Sequence, residues 1–361
     1  MSSFIKGKKL SKMFYNEVVK LILQKHFPDL KYAAALIGSG SEVLGFDTER
    51  STDHHWGPRV ILFLEENDYS LRGEISKVFS EELPSNFHGY STHFGEPDQI
   101  GVQLLTDAKE GQSINHRVEI FTVEDYFKEY LGVNPYKKLT SKDWLTFSEQ
   151  KLKTIKNGNV FYDVIGFKDV KKKFDYYPND VWLFLLASEW EKISQEEPFV
   201  GRSGEVDDEL GSMIIAARLV KSVMNLCFMM EKVYIPYSKW FGTAFLKLNL
   251  AKEMTPILSK ILEANNWKER EKYLSKAYEF VAEMHNNLKI TKPVHAKVSY
   301  FHDRPFYVIQ GGDFAQAIKD QINDKTILKI RSDIGSVNQI TNTVDLLENN
   351  LLLKRMKILY D

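Results

Sequence analysis

The sequence is poor in cysteine and in net charge, and each shortage excludes a class of protein. Cys227 is the single cysteine among 361 residues, so disulfides within the chain and cysteine-rich zinc sites are ruled out. It stands in the apolar run SVMNLCFMMEKV, where a thiol acts as a small buried hydrophobe rather than as a nucleophile. Lysine plus arginine (48) almost cancels aspartate plus glutamate (49). No global field therefore gathers nucleic acid, nonspecific DNA binding is not expected, and any polyanion would need a local basic patch. No stretch approaches ~18 uninterrupted apolar residues, and MSSFIKGKKLSKMF carries basic groups without an apolar segment or a small-residue cleavage site. The expectation is a cytoplasmic protein with no membrane partner. Internal repeats and low-complexity runs are missing as well.

What is present is a globular composition, 43% hydrophobic and 27% charged, in a chain long enough for two domains. SKMFYNEVVKLILQKH (11–26) places Phe14, Val18, Leu21 and Ile22 at helical spacing, with Ser11 as N-cap. KYAAALIGSGS reads as a buried strand ending in a glycine turn and GPRVILFLEE as a second strand. SLRGEISKVFSEELP returns to helix, IGVQLLT is strand-like, and HRVEIFTV is a strand. The order α, β, β, α, β, β predicts an α+β protein with a mixed sheet rather than a regular βαβ alternation. Helical patterns dominate from SKDWLTFSEQKLKTI onward, which puts a first domain at 1–135 and a mainly helical second domain at 136–361. EEPFVGRSGEVDDELGS interrupts two long apolar helices as a functional loop or as a solvated helix start, with Arg202, Asp207, Asp208 and Glu209 as its charged groups.

The line LIGSGSEVLGFDTERSTDHHWGPRVILFL (36–64) carries the sharpest signal. Small residues packed behind a strand let backbone N–H groups approach an anion. The turn Gly38-Ser39-Gly40-Ser41 lacks both the G-x-G-x-x-G spacing of a dinucleotide loop and the lysine of a Walker loop, so those two classes fall away. Eleven residues separate Ser41 from Asp53, and Asp53-His54-His55 runs toward the next strand. Alternation along a strand would turn Asp53 and His55 to one side and His54 to the other.

GFDTERSTDHHWGPR, YSKWFGTAF and HDRPF, in that order, resemble the domain of unknown function 4037 family, a divergent branch of the polymerase-β-like nucleotidyltransferases. The resemblance implies a nucleotidyltransferase fold in the first domain and transfer of a nucleoside monophosphate from a nucleoside triphosphate to a hydroxyl on a small molecule, protein or RNA. It implies that Gly38, Ser39, Gly40 and Ser41 grip the triphosphate, and that Asp53 and Glu119 hold Mg²⁺ or Mn²⁺ in a metal-assisted in-line displacement. His55 stands where the family pattern has a second carboxylate, which makes the site softer and better suited to Mn²⁺, Zn²⁺ or a single metal. It would serve as an altered ligand or proton acceptor. The missing acid also favours the alternative, a non-catalytic nucleotide-binding or partner-binding module.

The other groups have blander readings. Arg59 either pairs with the acids or meets phosphate. Lys239, beside Tyr237, Trp240 and Phe241, is expected to offer charge to phosphate where a ring stacks on a base, or else belongs to ordinary helix packing. His302-Asp303 lacks the spaced partners of a metal phosphohydrolase, and His88, His93 and His116 match no zinc spacing; loop or surface positions are expected for them.

Overall fold

The structure, a computed structural model, describes residues 4–52, 56–98, 102–109 and 111–361. It contains two compact units, Met1–Lys138 with Lys151–Asp175, and Leu139–Gln150 with Tyr176–Asp361. The sequence suggests one crossing near residue 135; the chain makes three, and the stretch 151–175 returns to unit 1.

Unit 1 contains β1 (Tyr32–Leu36), β2 (Arg59–Leu64), β3 (Asn86–Phe87), β4 (Tyr90–Ser91), β5 (Arg117–Thr122) and β6 (Asn159–Asp163). A four-stranded sheet runs in the order β5-β2-β1-β6, and β3 and β4 form a separate hairpin. β1 is antiparallel to both β2 and β6, whereas β2 is parallel to β5 with Arg59 opposite Arg117 and Ile61 opposite Glu119. Every residue of β1 and β2 is buried, because both faces are covered, and such strands read as continuous apolar runs. Ala34, Val60, Leu62, Leu64 and Val118 meet Leu10, Phe14, Val19 and Ile22 of the leading helix and Ile75 and Phe79 of the helix Arg72–Glu82. On the other face the Phe63 ring stacks on Phe167 at 4.1 Å between centroids and meets Tyr126 edge-on.

Two local expectations are corrected. The leading helix starts at Gly7, runs through a π-helical turn at Tyr15–Val19 and ends at His26; Ser11 is therefore inside it and fully buried rather than a cap. IGVQLLT forms no strand among its described residues, and Leu105 makes only an isolated bridge to Phe94.

Unit 2 is helical apart from the hairpin β7 (Ser299–Phe301) and β8 (Arg304–Val308). Its centre is the pair Asn179–Glu196 and Glu209–Met230, with Trp267–Leu288 and Gly311–Lys319 packed around them. Trp190 stacks on Phe314 at 4.3 Å, the Trp182 indole N–H donates to the Met229 carbonyl at 2.9 Å, and Cys227 is fully buried, its thiol pKa pushed up by that burial. EEPFVGRSGEVDDELGS is not an open loop. It forms the helix Phe199–Gly204 and a capped start of the next helix, where Asp208 Oδ1 accepts from the Gly211 N–H at 2.8 Å. The glycines there allow contact: a Cβ on Gly204 would lie 2.0 Å from Trp267, and one on Gly201 would lie 2.4 Å from Phe306. The α+β class read from the sequence describes the molecule.

Candidate functional site

The turn after β1 is built as the sequence suggests. Gly38 and Gly40 adopt φ of +87° and +132°, values that L side chains rarely reach. Space is short as well. A Cβ on Gly38 would stand 2.9 Å from the Tyr126 hydroxyl, and one on Gly40 would stand 2.4 Å from Glu42 Oε2 and 2.5 Å from Arg59 Nη2. Ser41 opens the one-turn helix Ser41–Leu44, which closes on Gly45 in the left-handed conformation. Its hydroxyl donates to the Ser51 carbonyl at 3.2 Å, tying the turn to the segment that leads toward Asp53.

A charged cluster underlies the turn. Arg59 Nε donates to Glu42 Oε1 at 2.8 Å, Nη2 reaches the same oxygen at 2.5 Å, and Nη2 also donates to the Ser39 carbonyl. The Glu42 side chain is fully buried and that of Arg59 nearly so. Of the two readings of Arg59, structural pairing is what the geometry shows. Beside it on the parallel strand, Arg117 Nη2 donates to Glu119 Oε1 at 3.1 Å, and burial holds the Arg117 pKa below its usual range against the opposing pull of Glu119. Strand alternation places Arg59, Arg117 and Glu119 on one face. Tyr126 faces this cluster, and burial drives its pKa well above the usual phenol value. Two oxygens remain without a hydrogen-bond partner among the described residues, the Tyr126 hydroxyl and Glu42 Oε2.

The predicted residues are thus partly assembled. Gly38, Ser39, Gly40, Ser41 and Glu119 belong to unit 1 and to the same end of its sheet. Asp53 and His55 lie outside the described residues, as does His54. Lys239 belongs to unit 2, where it is exposed with its ammonium 5.1 Å from the Trp240 ring centroid. Among the described residues no three His, Cys, Asp or Glu side chains gather to hold a metal ion. Glu119 is engaged by Arg117, so the described residues alone do not fit a divalent cation.

The remaining histidines have structural partners. His93 is buried, and its Nδ1 accepts from the Asn115 N–H at 3.0 Å. His116 bonds the Ser76 carbonyl, and burial lowers its pKa. His88 pairs with Glu17 at 2.9 Å, and His302 and Asp303 form the β7–β8 turn.

Glu42 and Asp47 were not singled out by sequence reasoning. Asp47 is buried, accepts from the Gly7 N–H at 2.7 Å and the Trp56 indole N–H at 3.3 Å, and so fastens the leading helix to the segment before β2. Both acids were visible in SEVLGFD, yet their buried partners come from other parts of the chain.

Residues 144–241 match the family described as Domain of unknown function (DUF4037). The similarity to that family is carried by this segment, about a quarter of the chain. The matched segment leaves unit 2 at residue 151, rejoins it at 176, and does not include the Gly38–Ser41 turn, although the motifs that carry the resemblance run from 45 to 306. No curated protein matches the chain. A crystal structure of a nucleotidyltransferase-like protein from Exiguobacterium sibiricum 255-15 is similar over 86% of this chain and 89% of that one, at 8% identity and a TM-score of 0.32. Overlap of that quality leaves the activity to be argued from this chain's own residues.

Proposed function

We propose that the Gly38–Ser41 turn binds the phosphates of a nucleoside triphosphate and that the protein passes the nucleoside monophosphate to a hydroxyl acceptor on a small molecule, protein or RNA. The observation that carries this reading is the turn itself. Two left-handed glycines sit on a buried Arg59–Glu42 pair, and the Tyr126 hydroxyl stands against Gly38 without a hydrogen-bond partner among the described residues. Such a turn presents backbone N–H groups to an anion with no side chain in the way. Arg59 and Glu42 hold its backbone, Tyr126 offers a donor, and Asp53, His55 and Glu119 are the groups that Mg²⁺ or Mn²⁺ would require; when bound, that ion supplies charge neutralisation at the phosphates.

A second reading is a nucleotide-binding module without transfer activity. It is favoured by the engagement of Glu119 with Arg117 and by histidine in place of a carboxylate at 55. Calorimetry with ATP, GTP, CTP and UTP, with and without Mg²⁺ or Mn²⁺, joined to a pyrophosphate-release assay, separates the two. The transfer reading expects binding that Gly40→Val abolishes and release that Asp53→Ala abolishes. Binding without release under any metal and acceptor selects the module, and no binding of any triphosphate ends both readings.

A further inference from the structure

Unit 2 encloses a cavity of about 450 Å³ that lies between the start of the helix Glu149–Asn157, the helix Glu209–Met230, the stretch 235–241 and the chain from 338 to 348. That volume falls in the range of small-molecule pockets, roughly 300–1,000 Å³. Its walls are fastened without any ligand. Asn338 donates to the Phe147 carbonyl at 2.8 Å and accepts from the Glu149 N–H at 2.9 Å. Gln339 donates to Glu189 at 2.7 Å and to the Leu185 carbonyl at 3.1 Å, and the fully buried Glu189 also accepts from Asn225 at 3.2 Å. Gln150 Oε1 accepts from the Tyr237 N–H at 3.2 Å. A pocket whose shape is fixed in advance loses little conformational freedom on binding.

The lining is specific in two respects. Ile235, Pro236, Tyr237 and Phe241 provide a contiguous apolar and aromatic wall, and the last two belong to the motif YSKWFGTAF. The carboxylates in the lining, Glu149 and Glu348, are engaged within the fold. Lys221 is exposed and makes no ion pair among the described residues. The cavity therefore joins a surface suited to a flat ring with one uncompensated ammonium.

We propose that this cavity binds a flat aromatic or heteroaromatic molecule carrying one anionic group, carboxylate or phosphate, with the ring against Tyr237 and Phe241 and the anion on Lys221. The site lies wholly in unit 2 and does not depend on nucleotidyl transfer.

Saturation-transfer NMR and calorimetry on the full chain test it. AMP and UMP serve as phosphate probes, benzoate and indole-3-carboxylate as carboxylate probes, and adenosine and indole as uncharged controls. At least one anionic probe is expected to bind at about 1 mM or tighter. Lys221→Ala should weaken it about tenfold while sparing the uncharged control, since charge-assisted contacts are the strong ones. Tyr237→Ala should weaken both. Both positions are exposed, and amide exchange checks that the fold is retained. The tighter of the two anionic classes identifies the natural group. The proposal is overturned if no probe binds, if Lys221→Ala leaves anionic binding unchanged, or if binding is lost in Gly40→Val and kept in Lys221→Ala, which would assign it to the turn.

Discussion

Both units bury an arginine, and they use it differently. Arg59 in unit 1 faces Glu42, whose side chain has no contact with solvent, and its second contact holds the backbone of a turn. Arg270 in unit 2 faces Glu209, whose side chain is 40% exposed, and adds the Ser212 hydroxyl at 2.8 Å and the Ala264 carbonyl at 3.2 Å. Glu209 also accepts from the Trp267 N–H at 3.1 Å, so the pair ties the starts of two helices together. The second arrangement is what packing requires: a cation kept satisfied while its partner stays half in water. In the first, both charges are desolvated and one carboxylate oxygen is unpartnered among the described residues. Bringing two charges into the interior costs several kcal/mol per ion, which close geometry must offset. An arrangement so demanding beneath a turn of two left-handed glycines points to a backbone that has to be held in one shape.

Removing one partner from each pair puts the difference on a scale. Glu42→Ala should destabilise unit 1 by about 3–5 kcal/mol, because it strands Arg59 in the interior; urea denaturation with amide exchange resolved by peptide would locate the loss. A value near zero would mean that water reaches Arg59 and that the contrast is false. Arg270→Met should cost unit 2 less, about 1–3 kcal/mol, since Glu209 can return to solvent while Ser212 and the Ala264 carbonyl lose a donor. If Arg270→Met proves the more damaging of the two, the ranking of the pairs is reversed.

The smallest effect is the dependence on pH that His285 gives unit 2. His285 is fully buried with its ring edge-on to the stacked Trp190 and Phe314 rings, and burial lowers its pKa from 6.5 to about 4. Between those values the unfolded chain takes up a proton that the folded chain refuses, so its contribution is complete above pH 6.5 and is lost as the pH falls toward 4. The His285 part alone should fall by on the order of 1 kcal/mol on acidification to about pH 5.5, while Glu197 in the same unit, its pKa raised by burial to about 7, acts with the opposite sign. His285→Phe should flatten that slope in denaturation midpoints measured across the range, and an unchanged slope would show that another group is responsible.

Much of this was legible in the residues. β1 and β2 announce themselves because strands covered on both faces leave runs such as YAAAL and RVILFL, β5 through its β-branched and aromatic residues in RVEIFT, and the left-handed glycines announce the turn. β6 was harder to see. NVFYD is half exposed, and its partner, β1, lies far back in the chain. The Glu42–Arg59 pair was hidden for a related reason: the antiparallel register of β1 and β2, Ala35 against Ile61, is what returns Arg59 to the turn. Of the two readings of GRSGEVDDELGS the helix start holds, with Asp208 as its cap, and the loop reading fails because Gly201 and Gly204 make room for Phe306 and Trp267. Pocket-lining residues between 338 and 348 gave no signal at all, since a wall formed by distant segments has no local pattern.

The excursion of residues 151–175 bears on biosynthesis. The sheet of unit 1 cannot be completed until β6 has left the ribosome, by which time the segment 139–150, assigned to unit 2, has already emerged. A nascent chain whose first 135 residues have emerged would hold three of the four strands of this sheet with the edge of β1 unpaired, ready to recruit a stray strand. Cutting the gene at that point would give the same sticky fragment, so a soluble half-molecule would have to carry residues 151–175 grafted back onto it.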